Sequence, residues 1–273
     1  MKEKISGVIL INKPKNFTSR DVVNIVSKKL KTKKVGHTGT LDPIASGVLV
    51  ICVGKATKLC ELLTCEKKEY IAKVVLGYET DTLDITGNII KENKKTVSKK
   101  ELEDVLKTFI GAYNQEVPIY SAVKVNGKKL YEYARKNIKI KLPKKKVTVY
   151  DISLLKYDGN TFIFKCTVSK GTYIRSLIRD IAYKLNTYGT MVELTRTRQG
   201  KFSIEETNKI EEEYNIISIK DVLDIPKKQV NDELKFKIIN GCKIDNKGLT
   251  LYLDKNLKEL AIYKDDRVYK MLY

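Results

Sequence analysis

The chain has 273 residues, enough for one large domain or a large domain with a small appendage, and a 42% hydrophobic fraction is ample for a core, which argues against overall disorder. Its formal net charge of +20, from 53 basic and 33 acidic residues, is the footprint of a polyanionic partner, although lysine-rich solvated faces account for part of it. Five cysteines without a CxxC pair, and a single histidine, argue against a zinc site and read as reduced core thiols. The apolar stretch Val8 to Ile11 is too short for a signal peptide and nothing reaches transmembrane length, so a cytoplasmic protein without a membrane partner is expected.

In chain order, Val8 to Asn12 reads as a strand ended by Lys13-Pro14. Thr18 or Ser19 then caps a helix with Val22, Val26 and Leu30 on one face. Gly36 to Leu49, GHTGTLDPIASGVL, is the most informative stretch. Glycines and the turn-initiating pair Asp42-Pro43 place one aspartate in a loop that runs straight into the apolar strand Val48 to Val53. Ala56 to Leu63 gives a short helix, Tyr70 to Leu76 an alternating strand, and Asp81 to Asp84 a polar turn. Ser98 to Glu101 is a capping box opening a helix that carries Leu102, Val105, Leu106 and Phe109 and stops at Gly111.

Tyr113 to Val123, with Pro118, reads as loop. From Lys124 to Lys146 there are ten basic residues and one acid, Glu132, interleaved with Tyr131 and Tyr133; this suits phosphate contact with stacking, on an exposed insertion with a helix near Leu130 to Lys136. Lys145 to Leu155 and Thr161 to Ser169 pair as strands across Asp158-Gly159-Asn160. A helix follows from about Tyr173 to Leu185, then a strand from Met191 to Arg196. Irregular alternation of strands and helices points to an α+β fold with a mixed, largely antiparallel sheet flanked by helices. Near Pro226 the composition shifts; Asp221 to Tyr273, with 11 basic and 9 acidic residues, reads as a small β appendage with strands at Leu249 to Leu253 and Glu259 to Tyr263.

An aspartate after a glycine turn is more often an Asx-turn or a helix cap than a nucleophile. A lone carboxylate can nonetheless attack or stabilise charge without a metal. It must stay ionised, and Arg175 in Gly171-Thr172-Tyr173-Ile174-Arg175 is the candidate cation. A paired-carboxylate mechanism would have to draw on Asp81 or Asp84. His37 is the sole imidazole and no GxSxG elbow accompanies it; no Gly-Lys-Ser/Thr makes Gly36 to Gly39 a P-loop. From spacing alone, Tyr70 and Tyr173 read as structural.

Taken together, several stretches resemble the TruB family of bacterial tRNA pseudouridine-55 synthases. They are NKPKNFTS from Asn12, KVGHTGTLDPIASGVLVICVGKATKL from Lys34, KEYIAKVVLGYETDTLD from Lys68, PIYSAVKVNGKKLYEYAR from Pro118, SKGTYIRSLIRDIA from Ser169 and VELTRTRQGKFS from Val192. The resemblance runs from Gly7 to about Ser203 and implies a pseudouridine synthase catalytic domain over 1–220, a T-arm-binding insertion at 124–146, and a reduced PUA-like domain over 221–273.

It further implies Asp42 as the essential nucleophile, Tyr70 as the residue stacking on the target base and accepting a proton, and Arg175 as the partner of Asp42. Tyr173 and Leu194 would line the uracil pocket, and His37 would support the rearranged T-loop. Lys124, Lys128, Lys129 and Arg135 would contact RNA. Lys13 is grouped with them by its motif, though its role there reads as structural. The implied reaction converts uridine 55 of the T-loop to pseudouridine after base flipping, with no metal and no organic cofactor. The implied partner is tRNA, through its T-arm and, to a smaller extent than in longer relatives, its acceptor stem, with no guide RNA; a monomer is expected. A tRNA-folding factor with secondary catalysis and an RNA-guided synthase are the rival readings.

Overall fold

The computed structural model describes residues 5–93 and 95–273. Its strands are β1 (Gly7–Lys13), β2 (Val35–His37), β3 (Ser46–Val53), β4 (Lys68–Leu76), β5 (Tyr78–Thr80), β6 (Ile89–Glu92), β7 (Gly111–Glu116), β8 (Lys124–Val125), β9 (Lys128–Lys129), β10 (Lys144–Tyr157), β11 (Thr161–Val168), β12 (Gly189–Gln199), β13 (Phe202–Ser203), β14 (Lys227–Gln229), β15 (Leu249–Leu253), β16 (Glu259–Lys264) and β17 (Arg267–Met271). The helices are α1 (Ser19–Lys29), α2 (Cys60–Thr64), α3 (Lys99–Lys107), α4 (Leu130–Arg135), α5 (Ile174–Lys184), α6 (Ile219–Val222) and α7 (Asp232–Ile239). The chain forms two units, one from the segments up to Pro43, Val48–Thr64 and Glu205–Tyr273, the other from Ile44–Gly47 and Cys65–Ile204.

In the first unit, Thr18 caps α1 with a full capping box, exchanging bonds with Asp21. Val22, Val23 and Val26 then fall on one face and pack with Ile9 and Ile11 of β1 and Leu49, Ile51 and Val53 of β3. β2 pairs antiparallel with β3, setting Gly36 opposite Cys52 and His37 opposite Ile51. The C-terminal part of this unit has its own sheet, ordered β14-β15-β16-β17, in which the first pair is parallel and the others antiparallel. α7 packs on β16, and Val230, Ile238, Tyr252, Leu260 and Tyr263 bury a separate small core.

The second unit is an antiparallel sheet in the order β12-β4-β11-β10-β7. β4 alternates strictly, with Lys68, Tyr70, Ala72, Val74 and Leu76 buried. Register places Tyr70 between Cys166 and Arg196, Ala72 between Phe164 and Leu194, and Val74 between Phe162 and Met191. These rungs share one face, since residues opposite each other across a ladder point the same way. α5 lies against β12, β4 and β7.

Three elements depart from the sequence reading. Tyr113 to Val123 reads as loop, but β7 covers its start and pairs with β10 along Gly111 to Glu116. The segment is polar and sits at the sheet edge, so it carries no hydrophobic alternation to announce it. Lys124 to Lys129 forms a β8–β9 hairpin around Asn126-Gly127, both at positive φ, ahead of the expected helix α4. Within the expected small β appendage, Asp232 to Ile239 is helical as α7, with Phe236 exposed on it.

Candidate active site

The aspartate loop is held from both sides by groups of its own unit. On one side, Leu41 is buried and its N–H donates to Ser19 Oγ (2.8 Å), while Ser19 Oγ donates to the Leu41 carbonyl (3.2 Å). On the other side, the Pro43 carbonyl accepts from Asn16 N–H (2.8 Å) and from Lys13 Nζ (3.4 Å). Between these two fixed points Asp42 remains partly exposed. Upstream, Thr38 N–H donates to the Val50 carbonyl, and Gly39 N–H donates to His37 Nδ1 (3.4 Å). His37 therefore stands at the loop's entry, half-buried.

Lys13, grouped by its motif with the expected RNA contacts, lies beneath the aspartate loop. It is 0% exposed, and its Nζ donates to the carbonyls of Phe17 (2.7 Å), Pro14 (2.9 Å) and Pro43. An ammonium bonded to these carbonyls braces the loop.

Downstream of Asp42 the chain enters the second unit. There Ser46 and Gly47 pair in parallel with Thr195 and Arg196, and Ser46 Oγ meets Thr195 Oγ1 at 3.1 Å. Gly47 has φ +103, and a Cβ there would fall 2.2 Å from the Arg196 carbonyl oxygen, so only glycine fits.

The remaining site residues belong to the second unit. Tyr70 and Leu194 lie on adjacent strands of one face, both buried, and the Tyr70 ring is packed into a ladder. Two residues before Tyr70, Lys68 shares that buried face. Burial, reinforced by the Arg196 charge, pulls its ammonium down to about 8.

Arg175 sits in the first turn of α5, 5% exposed. Its Nη1 donates to the Thr82 carbonyl (2.9 Å) and its Nη2 to the Tyr120 carbonyl (3.1 Å). The Thr82 carbonyl is presented by a turn built from the two acids that the sequence offers as a second carboxylate. Asp84 Oδ1 accepts from Thr82 Oγ1 (2.9 Å) and Thr86 N–H (3.0 Å), and Asp81 Oδ1 accepts from Asn88 N–H (2.9 Å). Both carboxylates shape the seat of Arg175.

Tyr173 is the N-cap residue of α5, and its backbone is held by Gln115, a residue that sequence reasoning misses because it falls in the supposed loop. In the basic insertion, Lys124, Lys128 and Arg135 are exposed or half-exposed, while Lys129 is partly drawn over the Tyr131 ring at 5.3 Å. The Arg135 guanidinium lies 5.2 Å from the centre of the same ring. All five cysteines are free, with Cys52 and Cys166 buried but Cys65 and Cys242 exposed, so the expectation of core thiols holds for only part of the set. No group of three or more potential metal ligands occurs among the described residues. Among those same residues no helix is long and apolar enough to cross a membrane.

Comparison with known proteins gives a consistent result. Residues 27–174 match the model of the TruB family pseudouridylate synthase (N terminal domain). The chain is 52% identical over 201 residues to tRNA pseudouridine synthase B of Fusobacterium nucleatum, covering 74% of this chain and 70% of that protein. It is 44% identical over 259 residues to tRNA pseudouridine synthase B of Bacillus subtilis, covering 88% and 84%. Among solved structures, an H/ACA RNP bound to a substrate RNA containing 2′-deoxyuridine matches with TM-score 0.74 and 25% identity, over 98% of this chain and 85% of that one.

Proposed function

We propose, since the chain belongs to the TruB family of pseudouridylate synthases, that it is a tRNA pseudouridine synthase acting on uridine 55 of the T-loop. The observation that carries this reading is the 44% identity to tRNA pseudouridine synthase B over most of both chains. The motif around Asp42 lies within the matched family region.

In this reading Asp42 is the nucleophile or the carboxylate that assists cleavage at the ribose. The N1–C1′ bond breaks, the freed uracil turns, C5 bonds to C1′, the C5 proton passes to a base and so to solvent, and N1 takes up a proton. Atoms and oxidation state are conserved, so the reading calls on no metal or organic cofactor. The clamps on Leu41 and Pro43 support it, because a carboxylate on a fixed loop enters attack without further ordering cost. Arg175, held by two carbonyls, would serve in this reading as the cation that partners Asp42. Tyr70, Tyr173 and Leu194 would receive the flipped base, whose unstacking costs a few kcal/mol. His37 would support the T-loop.

Lys124, Lys128, Lys129 and Arg135 would grip the T-arm backbone, and the sheet of 221–273, with its own core, would act as a reduced PUA-like domain near the acceptor stem. The protein would work as a cytoplasmic monomer, with tRNA folding as an accompanying role.

The H/ACA neighbour raises the alternative of guide-RNA dependence. Tritium release from an unmodified tRNA transcript labelled at uracil C5 separates the two. Release with purified protein alone is the expected result. Release only after guide RNA or partner proteins are added would favour the alternative.

A further inference from the structure

We propose that Gln115 is a positioning residue that fixes Tyr173 and the first turn of α5, and so sets where the Tyr173 ring and Arg175 stand for the reaction. This inference rests on the reading of Tyr173 as a base-contacting residue.

The Tyr173 N–H donates to Gln115 Oε1 (2.8 Å), and Gln115 Nε2 donates to the Tyr173 carbonyl (3.1 Å). A primary amide holds a donor and an acceptor in a single rigid plane, so it can pair both backbone groups of one residue as a neighbouring strand would. The orientation of the amide is determined by its partner: a backbone N–H can only donate, which requires Oε1 on that side.

Tyr173 needs such a partner. It is the N-cap of α5 but supplies no side-chain cap bond, and its carbonyl also begins the helix by accepting from Leu177 N–H (3.0 Å). Gln115 is 1% exposed, so no water replaces either bond if the amide is removed.

A second grip lies farther along the same helix. Gln115 Nε2 also donates to the Tyr113 hydroxyl (2.6 Å). Burial and the nearby Asp180 charge push the Tyr113 hydroxyl well above the usual phenol range. Arg179 closes the network by bridging Asp180 (2.9 Å) and Glu116 (3.1 Å). The Gln115–Tyr173 and Glu116–Arg179 contacts thus attach β7 to α5 at two points along the helix and oppose its rotation about its axis. Rotation is the motion that would carry the Arg175 guanidinium away from the Thr82 and Tyr120 carbonyls.

The test uses the full chain on an unmodified tRNA transcript. Single-turnover rate, tRNA affinity and Tm are measured for Gln115→Met, Gln115→Glu, Tyr173→Ala and the Gln115→Met/Tyr173→Ala double variant. Gln115→Met is expected to slow the single-turnover rate about tenfold or more, with tRNA affinity within about threefold of wild type. In the double variant it is expected to add a smaller factor than it does alone, because the part of its effect that passes through the Tyr173 ring is already lost while the part that passes through the backbone to Arg175 remains. Gln115→Glu keeps the acceptor and lacks the donor while ionised; burial favours its protonated form, which regains the donor. Its rate deficit relative to wild type is therefore expected to shrink from about pH 8 to about pH 6.

A wild-type rate for Gln115→Met, or a full multiplicative deficit in the double variant, overturns the inference. If Gln115→Met does not fold, a pH-independent deficit in Gln115→Glu overturns it. Tyr173→Ala at wild-type rate would refute the reading of Tyr173 and the inference with it. An impaired Tyr173→Ala beside an unaffected Gln115→Met would refute the inference alone.

Discussion

Ser19 holds Leu41 by both backbone groups, and Gln115 does the same for Tyr173, so two site loops are each secured by one buried side chain standing in for a strand. Ser19→Ala leaves the Leu41 N–H without that partner in a dry site. It should cost about 1–3 kcal/mol of stability and lower turnover more than tRNA affinity. Denaturant unfolding with single-turnover kinetics checks this; unchanged turnover at reduced stability would mean the loop does not need the clamp. Lys68 makes a prediction of opposite kind. Its folded value near 8 lies below the unfolded 10.5, so between those pH values the unfolded chain holds a proton that the folded chain has released. Stability should rise with pH across that window, by roughly 3 kcal/mol, while below it both states are charged and the full burial penalty applies. Lys68→Met should lack this rise, and parallel stability curves for the two proteins from about pH 8 to 10.5 would refute the assignment. Asp42 is legible in the sequence because turn chemistry is local. Ser19 and Gln115 are not, because their partners are backbone groups 22 and 58 residues away, and a side chain's carbonyl partner leaves no mark on residue spacing.

At the scale of elements, periodicity identifies what it can. α1, α3 and α5 carry apolar faces and β4 and β11 alternate, so each is legible to within about two residues, save that α3 ends at Lys107 and leaves Phe109 outside it. β7 is hidden because an edge strand of Ala, Tyr, Asn, Gln and Glu looks like loop, and with it goes the strand that grips α5. The basic insertion is legible as charge, but its hairpin is not, since Asn126-Gly127 lacks flanking hydrophobic strands. This element carries the third prediction. Neutralising Lys124, Lys128 and Arg135 together should flatten the dependence of log affinity on log salt by about 0.7–0.9 for each phosphate these side chains neutralise. Filter binding of tRNA over a salt series measures the slope; an unchanged slope would place the RNA face elsewhere.

For the whole molecule, the net charge of +20 indicates a polyanion partner from composition alone, and the α+β class with a largely antiparallel sheet follows from the irregular order of elements. The division of the chain is less legible. Composition suggests that the segment near the C-terminus stands largely as its own appendage, yet everything after Glu205 clusters with the N-terminal residues, tied by bridges such as Val8 to Ile217 and Ile11 to Asn208. Such long-range pairings have no counterpart in local composition. Asp42 is the central claim at this scale, because every other proposed role serves the chemistry assigned to its carboxylate. The most direct test is pseudouridine mapping on an unmodified tRNA transcript after incubation with wild type and with Asp42→Asn, alongside tRNA affinity for both. The account predicts pseudouridine at position 55 with wild type alone and tRNA affinity within a few-fold for the variant. Modification by Asp42→Asn at a rate near wild type, or tRNA binding by wild type without product, would contradict it.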